Sequence, residues 1–88
     1  MPMKDLEKTL KALANKRRLA IVKHLKVHPD TAVGDIAGAI KLSFRSTSKH
    51  LGVLAAADVV EREQHSLQMF YRIAEPSSPA ARAIIQLV

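Results

Sequence analysis

Residues 42–54, LSFRSTSKHLGVL, combine a helix cap, two cations on one helical face and an apolar stripe on the opposite face. Ser43 is suited to cap the helix, because its hydroxyl oxygen can accept a bond from a backbone N–H left open in the first turn. Phe44 then opens the helix. At about 100° per residue, Thr47, Leu51 and Leu54 share one side, with Phe44 and His50 flanking them, and that side is expected to face a core. Arg45 and Lys49 lie four residues apart on the reverse side, next to Ser48 and Gly52. This reverse side is cationic, capable of hydrogen bonding and sterically low, which are the properties a helix needs to enter the major groove of a duplex.

The chain on either side supports that reading. Upstream, Ala32 to Ile40 reads as a short helix whose packing side is Val33, Ile36, Ala37 and Ile40, and Lys41-Leu42 makes the turn into the Ser43 helix. A helix, a tight turn and a second helix form the unit that reads a major groove. Further upstream, Lys4 to Ala14 carries Met3, Leu6, Leu10 and Leu13 at helical spacing, with Asp5 and Glu7 early and Lys8 and Lys11 later, as the helix dipole favours. Asn15 is placed to cap a second helix running through Leu19, Val22 and Leu25, which stops before Pro29 because proline disfavours helical geometry in His28. Asp30 or Thr31 is then expected to restart the chain.

Downstream of Asp58 the period changes. Val59 to Gln64 and Gln68 to Ile73 are β-rich runs joined by His65, Ser66 and Leu67, a hairpin without glycine in its connection. Arg72 is expected to pair with Glu61 or Glu63 across it. Pro76 ends the second strand, and Ser78-Pro79 is a cap and first-turn pair for a last helix with Ala80, Ala83, Ile84, Leu87 and Val88 on one side. The expectation is a mainly α chain with a β-hairpin, in the order α-α-α-α-β-β-α, which is the order of winged helix-turn-helix proteins.

Composition narrows the function classes. The 88 residues suffice for a single small domain. A formal net charge of +6 favours a polyanionic partner. Nucleic acid and an acidic membrane surface both fit that charge; with 3% aromatic residues and no Trp, stacking platforms for single strands are not expected, so among nucleic acids double-stranded DNA is the better target. The absence of cysteine removes disulfides, thiolate metal sites and thiol nucleophiles together. No apolar run approaches the roughly 18 residues that cross a bilayer, and no signal core is visible, so no membrane association and an intracellular location are expected.

Leu10 to Leu25 (LKALANKRRLAIVKHL), Asp35 to Leu54 (DIAGAIKLSFRSTSKHLGVL) and the strand ending Met69 to Ile73 (MFYRI) closely resemble the ArsR family, over about residues 10–73. Ser48-Lys49-His50-Leu51 is similar to that family's S-R-H-L. The resemblance implies a cytoplasmic, homodimeric, DNA-binding repressor, in many members released from its operator by an inducer. Many members sense metals. Here Ala32-Val33-Gly34-Asp35 stands where thiolate sensors carry Cys-x-Cys, and the last helix has no histidine or acidic residue where others hold Zn²⁺. No metal and no cofactor are therefore expected. Lys41 occupies a turn position commonly held by glycine.

The candidate DNA-binding residues are Ser43, Phe44, Arg45, Ser46, Ser48 and Lys49 on the recognition helix, Lys41 before it, Lys16 and Arg17 on the second helix, and Arg62, Gln64 and His65 in the wing. Arg45 is suited to base readout, since its planar fork can grip guanine with two bonds. Gly52 costs about 1 kcal/mol within a helix, and either a nearby phosphate backbone or tight helix packing accounts for it. Lys16 and Arg17 open a helix, where cations oppose the dipole unless a phosphate docks there. Arg18 matches a family position with a structural reading. His24 and His28 share a helical face, with Asp30 close by in sequence; two imidazoles do not make a metal site without further ligands from a dimer, and surface histidines at a helix end are the commoner case. His50 reads as a packed histidine with one hydrogen bond. Catalysis would need a Ser, a His and an acid gathered in a pocket, and these hydroxyls lie on a recognition surface, so no enzyme is expected. Leu6, Leu10, Leu13, Ile84, Leu87 and Val88 are the expected dimer contacts around a two-fold axis, because so short a chain is not expected to cover both terminal stripes itself. The competing class is a winged-helix module that binds protein. An acidic or apolar surface at positions 45, 49 and 52 would have favoured it.

Overall fold

Three of the helices begin at a side chain that closes their first turn. In the computed structural model, which covers residues 1–88, Asn15 Oδ1 accepts from the N–H groups of Arg17 (2.9 Å) and Arg18 (3.1 Å). Ser43 Oγ accepts from Ser46 N–H at 3.1 Å, and Ser78 Oγ from Ala81 N–H at 3.2 Å, with Pro79 in the first turn. These caps start α2 (Lys16–Val27), α4 (Phe44–Ala56) and α5 (Pro79–Ile85). The remaining elements are α1 (Met3–Leu13), β1 (Thr31–Ala32), α3 (Val33–Ile40), β2 (Val60–His65) and β3 (Gln68–Ile73).

Helices α3 and α4 both end in a left-handed residue that is not glycine. Lys41 has φ 57° and donates to Gly38 O, while Leu42 N–H reaches Ala37 O at 3.0 Å. Asp58, also at φ 57°, donates to Ala55 O, and Val59 N–H reaches Leu54 O at 3.0 Å. Each pair of bonds forms a Schellman motif that satisfies carbonyls at the helix end. The left-handed backbone costs roughly 1–2 kcal/mol at each such residue. In return, the chain reverses within two residues, which holds α4 against α3 and leads directly into the wing.

The core is one cluster of 13 buried residues. It is made of Ile21, Val22 and Leu25 of α2, Val33 and Ile36 of α3, Leu51 and Leu54 of α4, Val59, Val60 and Tyr71 at the base of the hairpin, Ala12 and Leu13 of α1, and Ala81 of α5. No helix is long and apolar enough to cross a membrane.

The structure corrects the sequence reading at three places. The chain restarts at Thr31 as a strand and not directly as a helix: Asp30 is left-handed (φ 56°), and Thr31-Ala32 lie opposite Tyr71 and Phe70. The sheet therefore has three antiparallel strands in the order β1-β3-β2. A two-residue strand is too short to carry an alternating pattern, so only the approach of β3 reveals it. Next, Leu13 is 3% exposed and belongs to the chain's own core rather than to a dimer contact. The apolar arc of α1 is wide, and docking against α2, α4 and α5 uses its Thr9-Ala12-Leu13 edge, leaving Met3 and Leu10 exposed and Leu6 half-buried. Finally, α5 is rotated from the expected face. Ala81 is fully buried and Ile84, Ile85 and Val88 pack on the core, whereas Ala83 and Leu87 are exposed. Lys26 Nζ holds this helix end by donating to the carbonyls of Ile85 (3.2 Å) and Val88 (3.1 Å).

Candidate nucleic-acid interface

Helix α4 separates its two faces as its sequence period requires. Thr47, Leu51 and Leu54 are fully buried, and Arg45, Ser48, Lys49 and Gly52 are exposed on the opposite side. Ser46 is half-buried, and its N–H is taken by the Ser43 cap. Beyond the backbone of its own helix turn and its chain neighbours, a methyl group added at Gly52 would meet nothing within 4 Å. Packing inside the chain therefore gives no reason for a glycine there. Phe44 departs from expectation: it is 63% exposed rather than set beside the core. As the first helical residue it projects beyond the buried layer, at the mouth of a groove between α4 and the wing.

That groove, about 480 Å³, is lined by Phe44 and Ser48 of α4 and by Arg62, Leu67, Met69 and Tyr71 of the hairpin. The strand register explains which wing residues reach it. Arg62 pairs with Tyr71 and Gln64 with Met69, so these four share the face turned toward α4. Glu61, Glu63 and His65 belong to the opposite face, with Arg72 and Phe70. There Arg72 binds Asp30 (3.1 Å), Glu61 (3.7 Å) and Glu63. His65 Nε2 lies 2.9 Å from Glu63 and its ring meets Phe70 edge-on. Thus the acidic residues that flank Arg62 in sequence point away from it, and His65 is separated from Arg62 and Gln64. Gln64 Nε2 donates to Ser66 O at 3.3 Å, which turns its amide toward the hairpin tip.

The basic residues of α2 divide into two roles. Lys16 and Arg17 are exposed and border a shallow hollow shared with Ala20 and Ile40, beside the α3–α4 turn that carries exposed Lys41. Arg18 turns inward. Its Nε donates to Ala12 O, Nη2 to Lys11 O (3.3 Å), and Nη1 lies 3.2 Å from His50 Nδ1. Arginine can only donate, so Nδ1 is the acceptor and His50 is the neutral tautomer protonated on Nε2. Burial, followed by the nearby charges of Arg18, Arg17 and Lys49, holds the His50 pKa below its ordinary value.

Further along α2, next to the same Ala20 and Ile40, the rings of His24 and His28 lie tilted with centroids 4.7 Å apart. The His24 pKa is lowered by burial first and by His28 second. No group of three or more His, Asp or Glu side chains is arranged to hold a metal ion there or elsewhere in the chain.

No protein-family model matches the chain. Over 95 residues it is 30% identical to the transcriptional activator HlyU of Vibrio cholerae, spanning 100% of this chain and 84% of that protein. Among solved structures, the homodimeric winged helix-turn-helix DNA-binding domain of Mb0332 from Mycobacterium bovis, described as a possible ArsR-family regulator, superposes with a TM-score of 0.83. It is 30% identical and covers 97% of this chain and 76% of its own. The chain belongs to the ArsR family of winged helix-turn-helix transcription regulators. The transcriptional repressor PagR of Bacillus anthracis aligns with a TM-score of 0.80 at 30% identity over 97% of this chain and 93% of its own. As an ArsR-family protein the chain is a DNA-binding regulator and not an enzyme. Within the family frame, α3 and α4 are the helix-turn-helix and the β2–β3 hairpin is the wing.

Leu67 is absent from the sequence-derived set, although it lies in the groove with Phe44 and Arg62. An apolar residue in a polar turn was the available signal. Its meaning depends on where the wing stands relative to α4.

Proposed function

We propose that this chain is a cytoplasmic homodimeric repressor that reads an inverted-repeat operator in double-stranded DNA, its 88 residues forming one domain with the dimer made by the terminal helices. The observation that carries this reading is the outward face of α4, where Arg45, Ser48 and Lys49 surround the open surface at Gly52. In this reading Arg45 grips a guanine edge, Lys49 reaches base or phosphate, and Ser46 and Ser48 bond base edges or phosphate. Ser43 and Phe44 meet the duplex at the helix start, with the Phe44 ring suited to a thymine methyl group. Lys41, Lys16 and Arg17 hold the phosphate backbone. Arg62 and Gln64 serve from the wing, and His65 adds a contact only at its outer edge.

Exposed Met3, Leu10 and Leu87 leave an apolar surface across α1 and α5 that a second copy would cover, together with the exposed parts of Leu6, Ile84 and Val88. The Mb0332 domain is itself homodimeric, which supports the pairing of two copies. A two-fold dimer places its recognition helices about 34 Å apart, one turn of DNA, and so selects an imperfect palindrome. HlyU is an activator and PagR a repressor, so the sign of regulation depends on where the operator lies relative to the promoter. Selection from a randomised duplex pool at stated salt tests the reading, followed by a reporter driven through the selected site. An enriched palindrome and reduced reporter output are expected. Failure to enrich any sequence would remove the operator reading, and increased output would make the protein an activator.

A further inference from the structure

We propose that Leu67 is a minor-groove wedge, which unstacks one base step at the wing tip and bends the bound DNA. The inference rests on the duplex-binding reading above and adds a contact that the charge pattern alone does not reveal. Leu67 is 98% exposed, more than any other large apolar residue of the chain. It sits in a two-residue connection between the paired His65 and Gln68, after Ser66 at φ 57°. Every neighbour from Gln64 to Gln68 is polar.

Its placement selects the partner. Leu67 lies along the same groove as Phe44 and Ser48, so the tip stands on the side of the molecule that α4 presents to DNA. The strands run six residues each from the core-bound Val60–Ile73 pair to the tip. At about 3.4 Å per residue this carries the tip roughly 17 Å outward. A hairpin tip projecting on this side of α4 is placed to enter the minor groove beside the major groove that α4 occupies. The minor groove is ordinarily read by a cation. This tip offers none, since Arg62 lies lower on the strand and His65 is held by Glu63 on the other face. What it offers is a bare isobutyl group, the kind of apolar wedge that enters between base pairs, where burial of its surface offsets the lost stacking. Pyrimidine–purine steps unstack most easily, so a TA or CA/TG step is selected at this position without a hydrogen bond to it.

The test uses the full chain with a duplex recovered by selection from a randomised pool. The duplex carries fluorophores at its two ends and 2-aminopurine at successive steps of the minor groove beside the recognition site. The wild-type chain is expected to shorten the end-to-end distance and to raise 2-aminopurine emission at one step. Leu67→Ser, at a fully exposed position that the fold does not need, is expected to abolish that rise and weaken binding about tenfold or more. Leu67→Met is expected to restore both. Replacing the selected TA step by AA should weaken the wild-type chain and leave Leu67→Ser unaffected. Wild-type binding without a 2-aminopurine response, or an equal bend from Leu67→Ser, overturns the wedge and leaves the regulator reading intact. Wild-type failure to bind any duplex overturns both.

Discussion

Arg18 of α2 and His50 of α4 meet with Nη1 3.2 Å from Nδ1, while the same guanidinium holds the carbonyls of Ala12 and Lys11 at the end of α1. One side chain therefore ties the N-terminal helix to the recognition helix. The link needs a neutral imidazole, because a protonated Nδ1 has no lone pair for the arginine.

Stability should consequently fall in mild acid. Both His50 and His24 have folded pKa values below the ordinary one. Between the lowered folded value and about 6.5 the unfolded chain binds more protons, so stability increases with pH there. The contribution is complete above about pH 6.5 and is lost as pH falls toward the folded values. Urea unfolding from pH 7.5 to 5 is expected to show this decline, and His50→Asn, which keeps an acceptor near the Nδ1 position, should flatten its share. An unchanged pH slope in a His24→Asn, His50→Asn chain would contradict the assignment.

Arg18→Ala should destabilise the fold by about 1–3 kcal/mol, since it strips the partner from two carbonyls and from His50. Lys16→Ala should alter stability by less than about 0.5 kcal/mol yet weaken all duplexes alike and lower the salt dependence of binding. Arg45→Ala should instead relax preference at one base position, by about 1–3 kcal/mol. Thermal unfolding combined with competition by scrambled duplexes separates these three behaviours. A uniform affinity loss for Arg45→Ala would remove its base-reading role.

Thr47 offers a test of the buried face of α4. Its side chain is fully buried and its hydroxyl has no hydrogen-bond partner. Thr47→Val keeps the shape and removes the unsatisfied group, so a gain of about 1 kcal/mol is expected in chemical unfolding. A loss of stability would mean that the hydroxyl is satisfied in solution.

Gly52→Ala should stabilise the isolated protein by roughly 1 kcal/mol, because alanine favours the helix and the added methyl meets nothing within 4 Å beyond its own helix turn and chain neighbours. Duplex affinity should nevertheless fall. Opposite signs for folding and binding are the signature of a surface kept low for a partner. Unchanged affinity would argue against close approach at this position.

Leu10→Glu and Leu87→Glu should each produce monomers that lose operator affinity but stay folded, since both side chains are exposed. Leu13→Glu should unfold the chain instead, its side chain being part of the core. Sedimentation and circular dichroism distinguish the outcomes. Intact dimers from both exposed variants would place the interface elsewhere.

Local interactions determined what was legible from the sequence. Asn15, Ser43 and Ser78 cap their helices through bonds spanning two or three residues, and Thr47, Leu51 and Leu54 are buried because one helix repeats them on one side. Arg72 meets Glu61 and Glu63 because hairpin pairing brings them together. Where an element had several ways to dock, tertiary structure decided. The wide apolar arc of α1 could bury either edge, and contact with three helices chose the one with Leu13. Strand β1 exists only because β3 lies beside it, and Arg18 finds His50 only once α2 and α4 cross. The face of the wing that carries Arg62 and the reach of Leu67 beside α4 likewise depend on how the hairpin seats on the core. Caps and helical periods act within a few residues, whereas docking energy is summed over surfaces that distant segments contribute, and no single stretch of the chain contains that sum.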